Sequence, residues 1–165
     1  MIEAIKEFFT GTFGPKIGVL LCSMIPIIEL RGSIPLGAVL GLPWYTNYVV
    51  SVVGNMIPVP FILLLIRGVI KWMKTTRLFS RFALWLESRA AKNQSKLEKG
   101  VFLGLFLFVA IPLPGTGAWT GSLIAALCGV KFKNAILAIL FGVLAAGVIM
   151  TLASYGVIGF LSFLK

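Results

Sequence analysis

Apolar residues run through this chain in long unbroken stretches, not in the alternation of a half-buried strand or the narrow stripe of a surface helix. Residues 17–28 are apolar except for Ser23, a polar break follows, and 34–42 resume. The first piece, at 1.5 Å per residue, reaches about 18 Å, short of a bilayer core of about 30 Å. Two readings stay open: a re-entrant pair of short helices joined at the break, which is favoured, or one kinked helix of 26 residues that crosses. Pro43-Trp-Tyr-Thr-Asn47 reads as an interface turn, with Trp44, Tyr45 and Tyr48 suited to the headgroup belt. Residues 45–66 read as a full transmembrane helix, with Asn55 near its centre and Pro58 and Pro60 beyond it.

The second half follows the same plan. Val101–Ile111 is apolar, Pro112-Leu-Pro114-Gly115-Thr116-Gly117 interrupts, and Trp119–Cys128 resumes. Lys131-Phe-Lys133 makes a short basic turn before a full helix over 134–154. Tyr155-Gly156 is expected to kink that helix ahead of an apolar tail to 165. Ile-Pro opens both breaks, and Gly32-Ser33 echoes Gly121-Ser122. Residues 2–13 read as a short interfacial helix ended by Gly11 and Gly14-Pro15. The mixed charges of Met1–Glu7 do not resemble a cleaved signal.

Composition removes the soluble alternative. The 165 residues are 59% hydrophobic and only 12% charged, whereas globular domains carry about 25% charged residues. The expected fold is therefore all-α integral membrane, one domain over 1–165. It has two inverted halves (17–66 and 101–154), each a re-entrant helical hairpin plus a transmembrane helix, joined by a basic amphipathic linker over 67–99.

Charge sets the orientation. The formal charge is +10, and residues 67–99 hold nine basic residues against Glu87 and Glu98. The positive-inside rule places that segment in the cytoplasm of a prokaryotic inner membrane. Lys71, Lys74, Arg77 and Arg81 recur every three to four residues among Trp72, Phe79, Phe82, Trp85 and Leu86. This reads as a helix on anionic inner-leaflet lipid, with a partner-binding helix as the alternative. No nucleic-acid partner is expected. If both broken units are hairpins, Lys131 and Lys133 also fall in the cytoplasm and the halves are inverted, as in many transporters. Full crossings would put both lysines outside.

Chemistry is sparse. The chain has no His and no Asp, so zinc sites and His-based acid–base or nucleophilic arrangements cannot be built. Neither an enzyme nor a cofactor is expected. Cys22 and Cys128 lie in apolar runs and read as packing residues.

The candidate site is the pair of breaks. Glu29 and Arg31 are the ionised pair in an apolar run, where a charge costs about 2.5–3.5 kcal/mol on insertion scales. Pro26, Gly32 and Pro35 loosen the backbone around them. Two residues apart, Glu29 and Arg31 point to different sides of a regular helix and pair only if the backbone leaves it there. Ser33 is a candidate N-cap with Pro35 in the first turn, and Thr116 or Thr120 caps the second restart. Two helix N-termini plus Arg31 make an anion-favouring centre, and Glu29 is able to carry a proton. The plainer reading is a structural salt bridge. Asn55 is either part of the site or an interhelical packing bond. Pro112, Pro114, Gly115, Thr116, Gly117 and Trp119 complete the candidate set.

At Glu29-Leu-Arg-Gly-Ser-Ile-Pro35 and Pro112-Leu-Pro-Gly-Thr-Gly-Ala-Trp119 the chain resembles the small multidrug export proteins of prokaryotes, over nearly its whole length. That family is similar, more remotely, to the DedA and VTT-domain membrane proteins. The resemblance implies paired re-entrant hairpins and movement of phospholipids or polyprenyl phosphates. A DedA second hairpin carries Arg; Phe108-Val-Ala-Ile-Pro-Leu-Pro-Gly-Thr-Gly117 has none, which leaves Arg31 as the hairpin cation.

Three functions follow. The first is a transporter or lipid translocase for an anionic, phosphate-bearing amphiphile. The second is an exporter of small organic cations with Glu29 as proton-coupled acceptor. The third is a non-transporting membrane scaffold. Membrane lipids are the expected partners, and the small size admits a homodimer.

Overall fold

The computed structural model describes residues 14–75, 94–113 and 115–163. Helices account for nearly all of them: α1 (Gly14–Met24), α2 (Glu29–Val39), α3 (Trp44–Met56), α4 (Pro58–Thr75), α5 (Gln94–Ala110), α6 (Ala118–Leu127) and α7 (Phe132–Phe163). The expected helix over 2–13 and most of the basic stretch, 76–93, lie outside the described residues.

Length sorts these helices. Trp44–Ile66 and Phe132–Val157 are long and apolar enough to cross a membrane. In contrast α1, α2 and α6 have 11, 11 and 10 residues, or about 15–17 Å each. Several polar side chains lie inside beside an apolar core, and many large apolar ones lie outside. Ile27, Phe61, Leu65 and Leu152 are exposed, while Ser23, Glu29, Ser33, Asn47, Ser51, Asn55 and Ser122 are buried. Lipid tails are as apolar as Leu, so a protein dissolved in lipid gains little by burying Leu and must shelter its polar groups.

Some sequence expectations shift. Pro43 is the N-cap of α3, so Asn47 lies inside a helix and is fully buried, not in an interface turn. The helix after Pro58 continues to Thr75, through Arg67, Lys71 and Lys74. The helix expected over 134–154 is longer, running from Phe132 through Tyr155-Gly156 to Phe163.

The contacts divide the chain into two compact units, Met1–Ile57 with Val143–Lys165, and Pro58–Gly142. The first therefore contains α1 and α2 and the second α5 and α6, each with the first part of one long helix and the later part of the other. In the first unit α1 packs on α2 and α3, and α2 on α3. In the second, α6 packs on α4 and α5. These units divide the chain differently from the halves 17–66 and 101–154.

Two helix ends close in the same way. At the end of α2, Gly41 (φ 75°) donates to the Ala38 carbonyl and Leu42 to that of Gly37. At the end of α6, Gly129 (φ 68°) donates to Ala126 and Val130 to Ala125. Both are Schellman closures with glycine in the left-handed position, where a Cβ is penalised, and they stand 88 residues apart. This offset aligns Ser33 with Gly121, one residue away from the Gly-Ser match read in the sequence. It also aligns Glu29, Asn47, Ser51 and Asn55 with Gly117, Ala135, Ile139 and Val143. The polar positions around the first closure are apolar or glycine at this offset.

Candidate functional site

The first unit owes its polar interior to two helix faces with four-residue spacing. Asn47, Ser51 and Asn55 form one face of α3; Glu29, Ser33 and Gly37 form one face of α2. The faces meet antiparallel. Ser33 Oγ donates to Ser51 Oγ at 2.8 Å. One turn on, a Cβ added to Gly37 would collide with the Asn47 amide. Ser51 donates to Asn47 Oδ1 at 3.4 Å, and Asn47 Nδ2 donates to the Ile34 carbonyl at 2.7 Å and to Tyr155 Oη at 3.1 Å. Tyr155 in turn donates to the Leu42 carbonyl at 2.6 Å. One face of α1 joins this core: Gly54 has no room for a Cβ, which would strike Ser23 Oγ and approach the Leu20 carbonyl at 2.6 Å.

Carried one turn in the other direction, the same register brings Glu29 level with Asn55. Glu29 is 3% exposed. Its φ of 49° is left-handed, and it is the one such non-glycine residue among those described. A left-handed turn costs an L-residue roughly 1–2 kcal/mol, and here it takes the backbone out of the regular helix at the charged pair. The two long side chains still approach across two residues: Arg31 Nη1 lies 3.7 Å from Glu29 Oε2.

Asn55 is fully buried, and neither its Oδ1 nor its Nδ2 has a hydrogen-bond partner. A role as an interhelical packing bond is therefore not realised. Pro58 has no N–H, so the carbonyl of Gly54 also loses its helical partner beside Asn55.

The capping expectations are corrected. Ser33 does not cap a helix: α2 begins earlier, at Glu29, with Ile28 as N-cap, and Pro35 sits inside it. The α2 N-terminus carries Glu29 in its first turn, so its positive dipole end already faces a carboxylate of its own chain. At α6 the N-cap is Gly117 (φ 138°), with no side-chain cap. Thr116 Oγ1 instead donates to the Ile111 and Leu113 carbonyls, closing the turn before it. Thr120 lies within α6.

Glu29, Arg31, Ser33 and Asn55 thus fall in the first unit. Pro112, Gly115, Thr116, Gly117 and Trp119 fall in the second, and Pro114 is outside the described residues. The sequence reading passed over Asn47, Ser51, Tyr155 and Ser23. The four-residue spacing of Asn47, Ser51 and Asn55 in an apolar run was the signal available for the first two.

Residues 29–149 match the family model described as "Putative small multi-drug export protein". No curated protein and no solved structure matches the chain.

Proposed function

This chain belongs to the small multi-drug export protein family, and from that premise we propose that it exports small organic cations across a prokaryotic inner membrane, with Glu29 as the acidic acceptor. The observation that carries the proposal is a buried carboxylate on a strained backbone at the break of an apolar unit. Ionisable groups at such depth mark substrate or proton pathways. The 3.7 Å contact to Arg31 is longer than a charge-assisted hydrogen bond of about 2.7–2.9 Å. Arg31 compensates the charge of Glu29 in the resting protein, and a cargo cation or a proton takes over that role in turn.

The anionic-amphiphile reading has less support. It relied on helix N-termini capped at Ser33 and Thr116 and open to an anion. Neither side chain caps, and Glu29 occupies the positive end of α2.

In the working topology, α1–α2 and α5–α6 are re-entrant pairs, each entering and leaving on one side. The segment 67–99 lies in the cytoplasm on anionic lipid. The short lengths of α1, α2 and α6 support this, as does the basic character of both connectors. Efflux by Glu29→Gln and Arg31→Ala variants in sealed liposomes, with a quaternary ammonium dye and a phosphorylated lipid as alternative cargoes, tests the reading.

A further inference from the structure

We propose that Asn55 is the second seat of the Glu29 side chain: once protonated, the acid leaves Arg31 and closes a two-point hydrogen bond with the Asn55 amide. This rests on the reading of Glu29 as the coupling group and names the residue that receives it. The first support is the orphaned amide, fully buried with both polar atoms unpartnered. Groups buried in this way are rare in folded proteins and call for a ligand or a functional state.

Register supplies the second support. The Ser33–Ser51 bond and the close approach of Gly37 to Asn47 fix α2 against α3. One turn further along both helices, Glu29 and Asn55 stand at the same level.

Chemistry selects the partner. The amide offers one acceptor and one donor side by side. A neutral carboxyl offers the complement, an O–H donor and a C=O acceptor. A carboxylate only accepts, so it leaves Oδ1 unsatisfied; a metal ion leaves Nδ2 unsatisfied. The orphaned pair therefore fits the protonated acid and not the ionised one.

The 88-residue offset between the two helix closures allows a comparison of positions. The positions equivalent to Glu29 and Asn55 are Gly117 and Val143. Acid and amide are both present around the first closure and both absent at the offset positions around the second. Val143 is fully buried, so an apolar residue suffices for packing there.

The step balances simply. A hydronium ion from the aqueous phase gives its proton to Glu29 Oε2 and leaves as water; the ion pair opens with the positive charge kept on the partly exposed Arg31, and two neutral hydrogen bonds to Asn55 form. The left-handed φ of Glu29 is a point where a backbone change redirects the side chain, and strained residues of this kind cluster at switches. Among the described residues of the first unit the other titratable groups are Arg31 on α2, Lys16 and Cys22 on α1, Tyr45 and Tyr48 on α3, and Tyr155 on α7. Lys16 lies about two turns before Ser23, remote from the level of Asn55. Tyr48 and Tyr155 donate to the carbonyls of Leu144 and Leu42.

The test is infrared spectroscopy of the carboxyl C=O stretch, in lipid bilayers titrated from alkaline to acid pH, on protein carrying 13C-glutamate. The band absent in Glu29→Gln is that of Glu29. In the wild type it should sit at the frequency of a doubly hydrogen-bonded acid. In Asn55→Val, the residue of the equivalent position, it should move to the frequency of a free acid. The proton affinity should also fall about tenfold, the worth of about one net buried hydrogen bond. A free-acid Glu29 band in the wild type overturns the proposal, and so does an unchanged band and midpoint in a folded Asn55→Val protein. That result leaves the export reading standing if Glu29→Gln still abolishes efflux. Wild-type efflux by Glu29→Gln removes the export reading itself.

Discussion

Ser33 on α2 and Ser51 on α3 share a 2.8 Å hydrogen bond between two fully buried hydroxyls. That bond sets the level at which the helix after the charged break meets the first long helix. In lipid, such a bond is worth on average about 0.6 kcal/mol, with a maximum near 1.7 kcal/mol. Ser33→Ala should therefore lower stability by about 0.5–2 kcal/mol, toward the upper end because Ser51 loses its donor. Equilibrium unfolding in mild detergent measures it. Ser33→Ala and Ser51→Ala should be non-additive, because both remove the same bond.

Helix approach at Gly37 and Gly54 is set by what a methyl group would strike. At Gly37 it meets the Asn47 amide, and at Gly54 it meets Ser23 Oγ and the Leu20 carbonyl. Gly54→Ala must push backbone away and should cost about 1–3 kcal/mol, as overpacking typically does. Gly104→Ala has open space and should be neutral or slightly stabilising, since alanine favours helix by about 1 kcal/mol over glycine. Thermal melts of the two variants side by side give the comparison.

The Asn47 amide joins the Ile34 carbonyl to Tyr155. Asn47→Leu should destabilise the protein by several kcal/mol, because it enlarges a fully packed position and leaves Ser51 and Tyr155 short of partners. Tyr155→Phe removes only the hydroxyl and should cost about 1 kcal/mol. A larger loss for Tyr155→Phe than for Asn47→Leu would contradict the direction of this network.

Much of this was legible in the sequence, and the missing parts have physical causes. Run length marked α1, α2, α6 and the two long helices, because an apolar run in a chain of this composition has to be a membrane-depth helix. The polar break marked Glu29 and Arg31. The start of α2 was misplaced because Ser33 and Pro35 are a textual signature of a helix start. Here tertiary pairing took the Ser33 hydroxyl for Ser51, and the turn beginning at Glu29 was built on a left-handed residue that no propensity favours. Asn47 was assigned to the interface by its aromatic neighbours, although Trp44 and Tyr45 are exposed while Asn47, two residues beyond Tyr45, faces inward. The Gly-Ser echo read in the sequence, 89 residues apart, differs by one residue from the 88-residue spacing of the two helix closures at Gly41 and Gly129.

Topology has a direct check. Single cysteines at positions 131 and 133, in a background lacking Cys22 and Cys128, should react with a membrane-impermeant thiol reagent from the cytoplasmic side. The lysine pair between two apolar runs motivates this. Reaction only from the outside would remove the re-entrant arrangement.

The central claim is that the buried carboxylate of Glu29 receives cationic cargo. The most direct measurement is efflux of a quaternary ammonium dye from sealed liposomes holding purified wild-type, Glu29→Gln or Arg31→Ala protein, each checked for monodispersity. Glu29→Gln should abolish dye movement, while Arg31→Ala should retain most of it, and neither should change the movement of a phosphorylated lipid. Dye efflux surviving in a well-folded Glu29→Gln protein, or phosphorylated-lipid movement that collapses in Arg31→Ala, would contradict the account.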